Sequence, residues 1–455
     1  MAADVRQAFL GSFFHTPTYG SFEYLEDAHI EMDAGGVIAR VVREDDPRHD
    51  ELVRAYHDSG VLVELGQGRY GLPGFVDLHV HACQWPQAGI ALDEPLDRWL
   101  LERTFPLESK FADVEFARTV YGDLVRQLLA RGTTTVVYFG SAHLDATVEL
   151  ARACVDAGQR GLVGKTVMDD PTANPDYYRD ASPRKAVEET AQLIREVEAM
   201  RPDAPQGVWP VITPRFIPSC TDEVLRGLGN LAAEHDSYVQ SHCNEGQWEH
   251  DTVLARFGKE DPYALRDFGL LREHSIMAHC TFLTPDEGAL FAQVGAGIAH
   301  CPISNAYFAS SVLPVKRLRE QGVRIGLGTD ISGGFSPNMY DDIRQAVMAS
   351  RMLETGVDAQ RPEPERGSGD ARISVVEALY LATAGGAEAL GLPVGTFEPG
   401  RAFDLQVVDT CLPYADLTGF GVFDAPEDRL ARILYLATPE NIRQVYVQGR
   451  RVIEK

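Results

Sequence analysis

Eight short apolar runs, separated by stretches of helix length, occupy the middle of the chain and leave it few folds. They lie at residues 75–81, 133–139, 162–168, 208–216, 238–243, 275–280, 297–303 and 324–330. Continuously apolar runs read as strands buried on both faces, as in a parallel sheet covered by helices. Residues 115–131 and 184–200 carry apolar side chains at three- and four-residue intervals, so they read as helices that pack one face on that sheet. Eight β/α units over roughly 250 residues is the count of a closed (β/α)8 barrel. A doubly wound open sheet is the alternative. It is disfavoured because no glycine-rich phosphate loop follows the first strand.

The two ends have a different texture. Residues 1–72 hold short alternating segments broken by turns, as where Gly35-Gly36 leads into Val37-Ile38-Ala39-Arg40-Val41-Val42. These predict short antiparallel strands. Residues 405–409 and 445–452 repeat the pattern and read as edge strands of a small sheet. Neither end has enough apolar mass for its own core. The expected architecture is therefore α/β: a TIM-like barrel over residues 73–392, with a small β-sandwich domain formed by residues 1–72 and 393–455 together.

The net charge is 42 − 67 = −25, with a pI of about 4.9. Such a surface repels phosphate backbones and anionic lipid, so neither nucleic acid nor a membrane surface is an expected partner. No apolar run reaches 18 residues. The seven cysteines are scattered without a CxxC pair, which argues against both a cysteine zinc knuckle and a disulfide framework. Free thiols suggest a reducing compartment, so the cytoplasm is the expected location. The first residues lack a basic-then-apolar leader pattern. Residues 169–182, rich in Asp, Pro and Tyr, follow the third strand on the expected catalytic face and are a candidate lid. Residues 358–372 read as a surface loop.

The stretch Pro73-Gly74-Phe75-Val76-Asp77-Leu78-His79-Val80-His81 carries the most chemistry. Side chains alternate along a strand, so Asp77, His79 and His81 share a face, with the two imidazoles about 7 Å apart along it. They end the first strand, on the side where barrel active sites lie. His242 ends the fifth strand, His279 the sixth and Asp330 the eighth. Together they set three histidines and an aspartate around one mouth, with a further polar group beside it. Imidazole and carboxylate suit zinc, with ferrous iron the alternative. His15, His29, His49, His57, His143, His235 and His250 are expected in loops or helices without chemistry, and His274 and His300 as structural residues.

These residues resemble the amidohydrolase superfamily, and within it the guanine deaminases. The superfamily pattern is His-x-His on strand one, histidines on strands five and six, and aspartate on strand eight. Three narrower features are similar to the guanine branch: Gln84-Trp85 after the first-strand motif, Trp99-Leu100 through Thr104-Phe105-Pro106-x-Glu108, and Pro214-Arg215-Phe216, while Gly328-Thr329-Asp330-Ile331-Ser332-Gly333-Gly334 resembles that branch's strand-eight signature but by itself marks only the superfamily. Cys83 stands where proline is usual. His242-Cys243-Asn244-Glu245-Gly246 replaces the usual His-x-Ser-Glu-Asn, with the glutamate kept.

The resemblance implies one metal ion per chain on His79, His81, His242 and Asp330, and a homodimer. It implies catalytic roles for Glu245 as proton shuttle, His279 as hydrogen-bond partner of the attacking hydroxide, and Asp330 as acceptor of its proton. Substrate contacts would come from His81, Gln84, Trp85, Arg215, Phe216, His242, Glu245 and Asp330, with Arg215 on the O6 carbonyl and Trp85 or Phe216 stacked on the base. The expected substrate is a small purine, guanine. Another amino-heterocycle (8-oxoguanine, a pterin or an s-triazine) is the nearest alternative. A cyclic amide hydrolase is a further one, though such enzymes use a strand-four lysine that is missing from Val208-Trp209-Pro210-Val211-Ile212-Thr213-Pro214. A non-catalytic metal-binding scaffold would need neither Glu245 nor His279.

Overall fold

The computed structural model describes residues 5–455. Its centre is a parallel sheet of eight principal strands: Phe75–His81, Thr133–Phe139, Arg160–Gly164, Val208–Pro214, Tyr238–Cys243, Ser275–His279, Gly297–His300 and Arg324–Leu327. Each pairs in parallel with the next. A short piece, Thr166–Val167, continues the third strand and pairs with the fourth. The sheet closes past the end of its eighth strand. Asp330 N donates to His79 O and His81 N to Ile331 O, each at 2.8 Å. The barrel is therefore stitched shut at the mouth where its polar residues gather.

Such close approach constrains side-chain size. A Cβ on Gly328 would stand 2.8 Å from His79 Cβ and 3.2 Å from Cys301 Sγ, so only glycine lets the eighth strand pass the first here.

Helices cover the outside. Val114–Leu129 begins at Asp113, whose carboxylate accepts from Glu115 N and Phe116 N, and this satisfies free first-turn donors. It buries Ala117, Val120, Tyr121, Leu124, Val125, Leu128 and Leu129 on one face. Each large apolar side chain so buried contributes about 1.5–3 kcal/mol. Pro183–Met200 starts with Ser182 as cap and Pro183 in its first turn, and turns Ala186, Leu193, Ile194 and Val197 inward. No helix among the described residues is long and apolar enough to cross a membrane.

The chain ends build one further sheet of eight strands: Gln7–Thr18, Ser21–Met32, Ile38–Val42, Leu62–Glu64, Arg69–Pro73, Leu405–Asp409, Ile442–Val447 and Arg450–Glu454. Three details differ from expectation. The first two strands are twelve residues long, because register shifts near Gly11 and His15 let one pairing continue. Gln7–Thr18 pairs in parallel with Leu62–Glu64 and Arg69–Pro73, which the helix His49–Ser59 makes possible by carrying the chain back. Leu405–Asp409 lies between Arg69–Pro73 and Ile442–Val447, and of the C-terminal strands only Arg450–Glu454 takes an edge. His15 and His29 lie within strands rather than loops, both buried.

Phe9, Phe13, Phe397, Phe403 and Tyr446 belong to the core of this sheet, with the rings of Phe9 and Phe403 at 4.6 Å. Asp404 ties it to the barrel floor. Its carboxylate accepts from both terminal nitrogens of Arg160, from Thr134 Oγ1 at 3.0 Å and from Gln448 N at 2.8 Å. Arg160 and Asp404 are 3% and 1% exposed, so the pair is a buried one.

Candidate active site

The alternation of the first strand puts Asp77, His79 and His81 inside the barrel, all buried. Asp77 does not reach the mouth. Its carboxylate accepts from His79 N at 3.2 Å and from Thr329 N and Oγ1 at 3.0 and 2.6 Å. It thus fixes the start of the Thr329-Asp330 turn against the first strand. Burial pushes its carboxyl up to about 7, opposed by the Thr329 and His79 hydrogen bonds.

Above it, four imidazoles and one carboxylate converge. His81 Nε2 lies 3.0 Å from His242 Nε2. Asp330 Oδ1 is 3.2 Å from His79 Nε2 and 3.5 Å from His81 Nε2, and Asp330 Oδ2 is 4.0 Å from His279 Nε2. Potential ligand atoms of His79, His242 and His279, and of His79, His81 and Asp330, form two overlapping groups that could hold an ion. Burial pushes the imidazoles of His79, His81 and His242 down, and the neighbouring imidazoles push His81 and His242 down further. Burial alone would raise the Asp330 carboxyl, but His79, His279 and His81 outweigh it and hold it below the usual carboxylate range.

These residues fit a divalent metal. His242 Nδ1 sits 2.5 Å from the Arg215 carbonyl oxygen. A carbonyl only accepts, so Nδ1 carries the proton and Nε2 turns a lone pair inward. The buried Nε2 atom of His79 has no hydrogen-bond partner. An unpaired buried nitrogen is costly, and a cation beside it would satisfy it.

Glu245 stands beside this centre on the turn after the fifth strand. Asn244 adopts φ 51°, and two buried carboxyls hold the turn: Asp261 Oδ2 accepts from Asn244 N at 3.1 Å and Glu249 Oε2 from Glu245 N at 2.8 Å. Glu245 Oε1 lies 3.8 Å from His279 Nε2. Burial raises the Glu245 carboxyl, with the His279 imidazole opposing and Asp330 adding to the rise. His279 Nδ1 is in turn held by Asn305 Oδ1 at 2.8 Å.

The cluster opens into a cavity of about 650 Å³ lined by His81, Gln84, Arg215, Phe216, His242, Glu245 and Asp330 among others. Every expected substrate contact except Trp85 is there. Trp85 points away: its Nε1 donates to Asp123 at 2.8 Å, and its ring packs on the apolar cluster around Tyr121 and Leu124. The cavity takes its indoles from Trp99 and Trp248 and further rings from Phe105 and Phe308. Trp99 ends the Leu96–Trp99 turn; it heads the segment that resembles the guanine branch, without a substrate contact having been expected of it. Cys83, where proline is usual, is buried and points its thiol at the Gly140 carbonyl; it borders the cavity without lining it. Of residues 169–182 only Thr172 and Ala173 reach the cavity. Their segment is anchored at Asp180, which accepts from Lys165 Nζ at 2.5 Å and Met168 N at 2.9 Å. Lys165 is thereby occupied well away from a metal-bridging role.

Glu108 was not expected as a site residue. Its carboxylate, 1% exposed, accepts from Arg215 Nη1 at 2.7 Å, Arg215 Nη2 at 3.2 Å and Gln84 Nε2 at 2.9 Å. Its signal was present in Thr104-Phe105-Pro106-x-Glu108, which places it one helical turn after a residue facing the cavity.

A closed parallel barrel with His-x-His on strand one, histidines ending strands five and six, and an aspartate past strand eight defines a metal-dependent hydrolase centre. The comparisons with known proteins agree. The model of the Amidohydrolase family matches residues 70–452. The chain therefore belongs to the amidohydrolase family, and it is a hydrolase acting on carbon–nitrogen bonds. It is 33% identical to a guanine deaminase of Dictyostelium discoideum, over 99% of each chain. It is 35% identical to that of Mus musculus, over 98% of this chain and 96% of that one. The crystal structure of a guanine deaminase from C. acetobutylicum with bound guanine superposes with a TM-score of 0.86 at 30% identity, covering 98% of this chain and 100% of that one.

Proposed function

We propose that the protein hydrolyses guanine to xanthine and ammonia, with one zinc ion held by His79, His81, His242 and Asp330. The observation that carries this reading is the pairing, in one cavity, of an inward-facing His/Asp cluster with the Arg215–Gln84 wall, in a chain similar over nearly its full length to guanine deaminases. When bound, the ion supplies the Lewis acidity that makes water nucleophilic near neutral pH.

The chain's own residues do the rest. Asp330 and Glu245 take up protons of the attacking water, which adds to C2. Glu245 returns one proton to ring nitrogen N3 and another reaches the departing amine, so that ammonia leaves and C2 becomes a carbonyl. Its raised carboxyl suits a group that alternates between acid and base. His279 hydrogen-bonds the oxygen of the adduct, and Asn305 fixes its ring. Arg215 donates to O6, and Phe216 and Trp99 flank the base. The test is ammonia release from guanine, 8-oxoguanine and a pterin by the purified zinc-loaded protein. Release from guanine at the highest kcat/KM is expected. Release from another heterocycle with none from guanine would overturn the substrate while leaving the hydrolytic centre.

A further inference from the structure

Glu108 does more than neutralise a buried arginine. Of the Arg215–Gln84 pair, Gln84 is the one whose polar end could point either way, since an amide swaps donor for acceptor by turning over. Here both sides of that amide are constrained by groups that cannot swap. The Glu108 carboxylate, an acceptor in its ion pair with Arg215, takes Nε2 at 2.9 Å. The backbone N–H of Ser332, which only donates, points at Oε1 over 3.4 Å. Turning the amide over would set oxygen against carboxylate and N–H against N–H. The same carboxylate grips both terminal nitrogens of Arg215, whose face lies over the Phe105 ring, Cζ to centroid 5.1 Å. Arg215 and Glu108 are 4% and 1% exposed, so their charges cancel out of reach of water.

We propose that Glu108 is a positioning residue that sets substrate selectivity: it makes the Arg215–Gln84 wall a charge-neutral, single-orientation array that accepts a neutral carbonyl-bearing ring edge and rejects an anionic one. An unpaired buried arginine would do the reverse, drawing anions. The inference rests on the guanine reading only for the choice of ligand. A neutral purine carbonyl gains hydrogen bonds here without an ion to desolvate, whereas an anionic purine meets the Glu108 carboxylate behind the donors. Selectivity of this kind follows because buried polar groups left unpaired are costly.

The experiment uses metal-loaded wild type, Glu108→Gln and Glu108→Asp, with kcat and KM for guanine and inhibition by xanthine measured across neutral to alkaline pH, where xanthine loses a proton. Wild type is expected to bind xanthine more weakly as it becomes anionic. Glu108→Gln is expected to raise KM for guanine by about 10- to 100-fold, with kcat falling less and metal content unchanged. It should also reverse the pH trend, binding the xanthine anion more tightly than wild type does. Glu108→Asp should keep the wild-type trend at reduced affinity. Tighter xanthine binding by wild type as pH rises would overturn the proposal, and that measurement needs no folded variant. An unaltered guanine KM and xanthine profile in Glu108→Gln would overturn it too. Failure of wild type to turn over guanine counts against the guanine reading alone. The wall is then tested by calorimetric binding of neutral and anionic purines.

Discussion

Replacing Gly328 by alanine tests how tightly barrel closure and catalysis are joined. The added Cβ would lie 2.8 Å from His79 Cβ, 3.2 Å from His79 N and 3.2 Å from Cys301 Sγ. Non-bonded carbons rest at about 3.5–4.0 Å, so the first and eighth strands must part by about 1 Å. None of these contacts is the free end of a flexible side chain. His79 is held by its own backbone, whose carbonyl accepts from Asp330 N, and Cys301 is buried. The strain costs about 1–3 kcal/mol of stability. The larger effect is on activity, since displacing a reacting group by about 1 Å loses on the order of 100-fold in rate, and here both His79 and Asp330 would move. The assay is ammonia release with metal content and thermal melting measured on the same preparation. Gly122→Ala is the control: it sits in a helix where a Cβ meets nothing nearer than Arg126 Nη1 at 3.7 Å, and should leave activity unchanged while adding about 0.5–1 kcal/mol. Wild-type kcat and metal content in Gly328→Ala would refute the reasoning.

Glu245→Gln keeps the size of the side chain and the turn that carries it, so it should bind metal normally and lose about 10²–10⁴-fold in kcat; near-normal turnover would remove Glu245 from proton transfer. Asp404→Ala strands Arg160 in the interior without its counter-charge and leaves Gln448 N without its acceptor, for a loss of about 3–5 kcal/mol in urea unfolding, whereas a small loss would mean water reaches the site. Burial pushes the Asp261 carboxyl up to about 6 and raises its partner Glu249 as well. The folded state therefore holds more protons than the unfolded chain, and stability falls as pH rises from about 4 through about 6. Asp261→Asn keeps an acceptor for Asn244 N without the charge. Its unfolding midpoint should gain on wild type across that window, and parallel midpoints at both ends would contradict the assignment.

Much of the barrel could be read directly from the chain. Apolar runs bounded by polar mouths leave little choice for a strand buried on both faces, and five of the eight ran past the observed ladder by only one to three residues at the carboxyl end. Those extra residues, such as Thr329 and Asp330, leave the regular ladder to form the mouth. His79, His81, His242, His279 and Asp330 were legible for the same reason: the chemistry sits where strands end, and the period of two fixes which side chains face in. The terminal sheet was harder. Alternation reveals a pleat but not which strands are neighbours, so Leu405–Asp409 read as an edge although it lies between two others.

What the sequence determined by itself was the set of strand-end histidines and the aspartate that meet at one mouth, because the period of two fixes which side chains face in; the hydrolase class came from the family resemblance those residues carry. What completes the substrate wall around Gln84, Arg215 and Phe216 was decided only by the tertiary structure. Trp85 and Trp99 are equivalent as letters, yet one is drawn outward to Asp123 and the other lines the cavity. Glu108 meets Arg215 across 107 residues of chain. Long-range pairing of buried charges depends on how whole elements pack, and no local pattern records it.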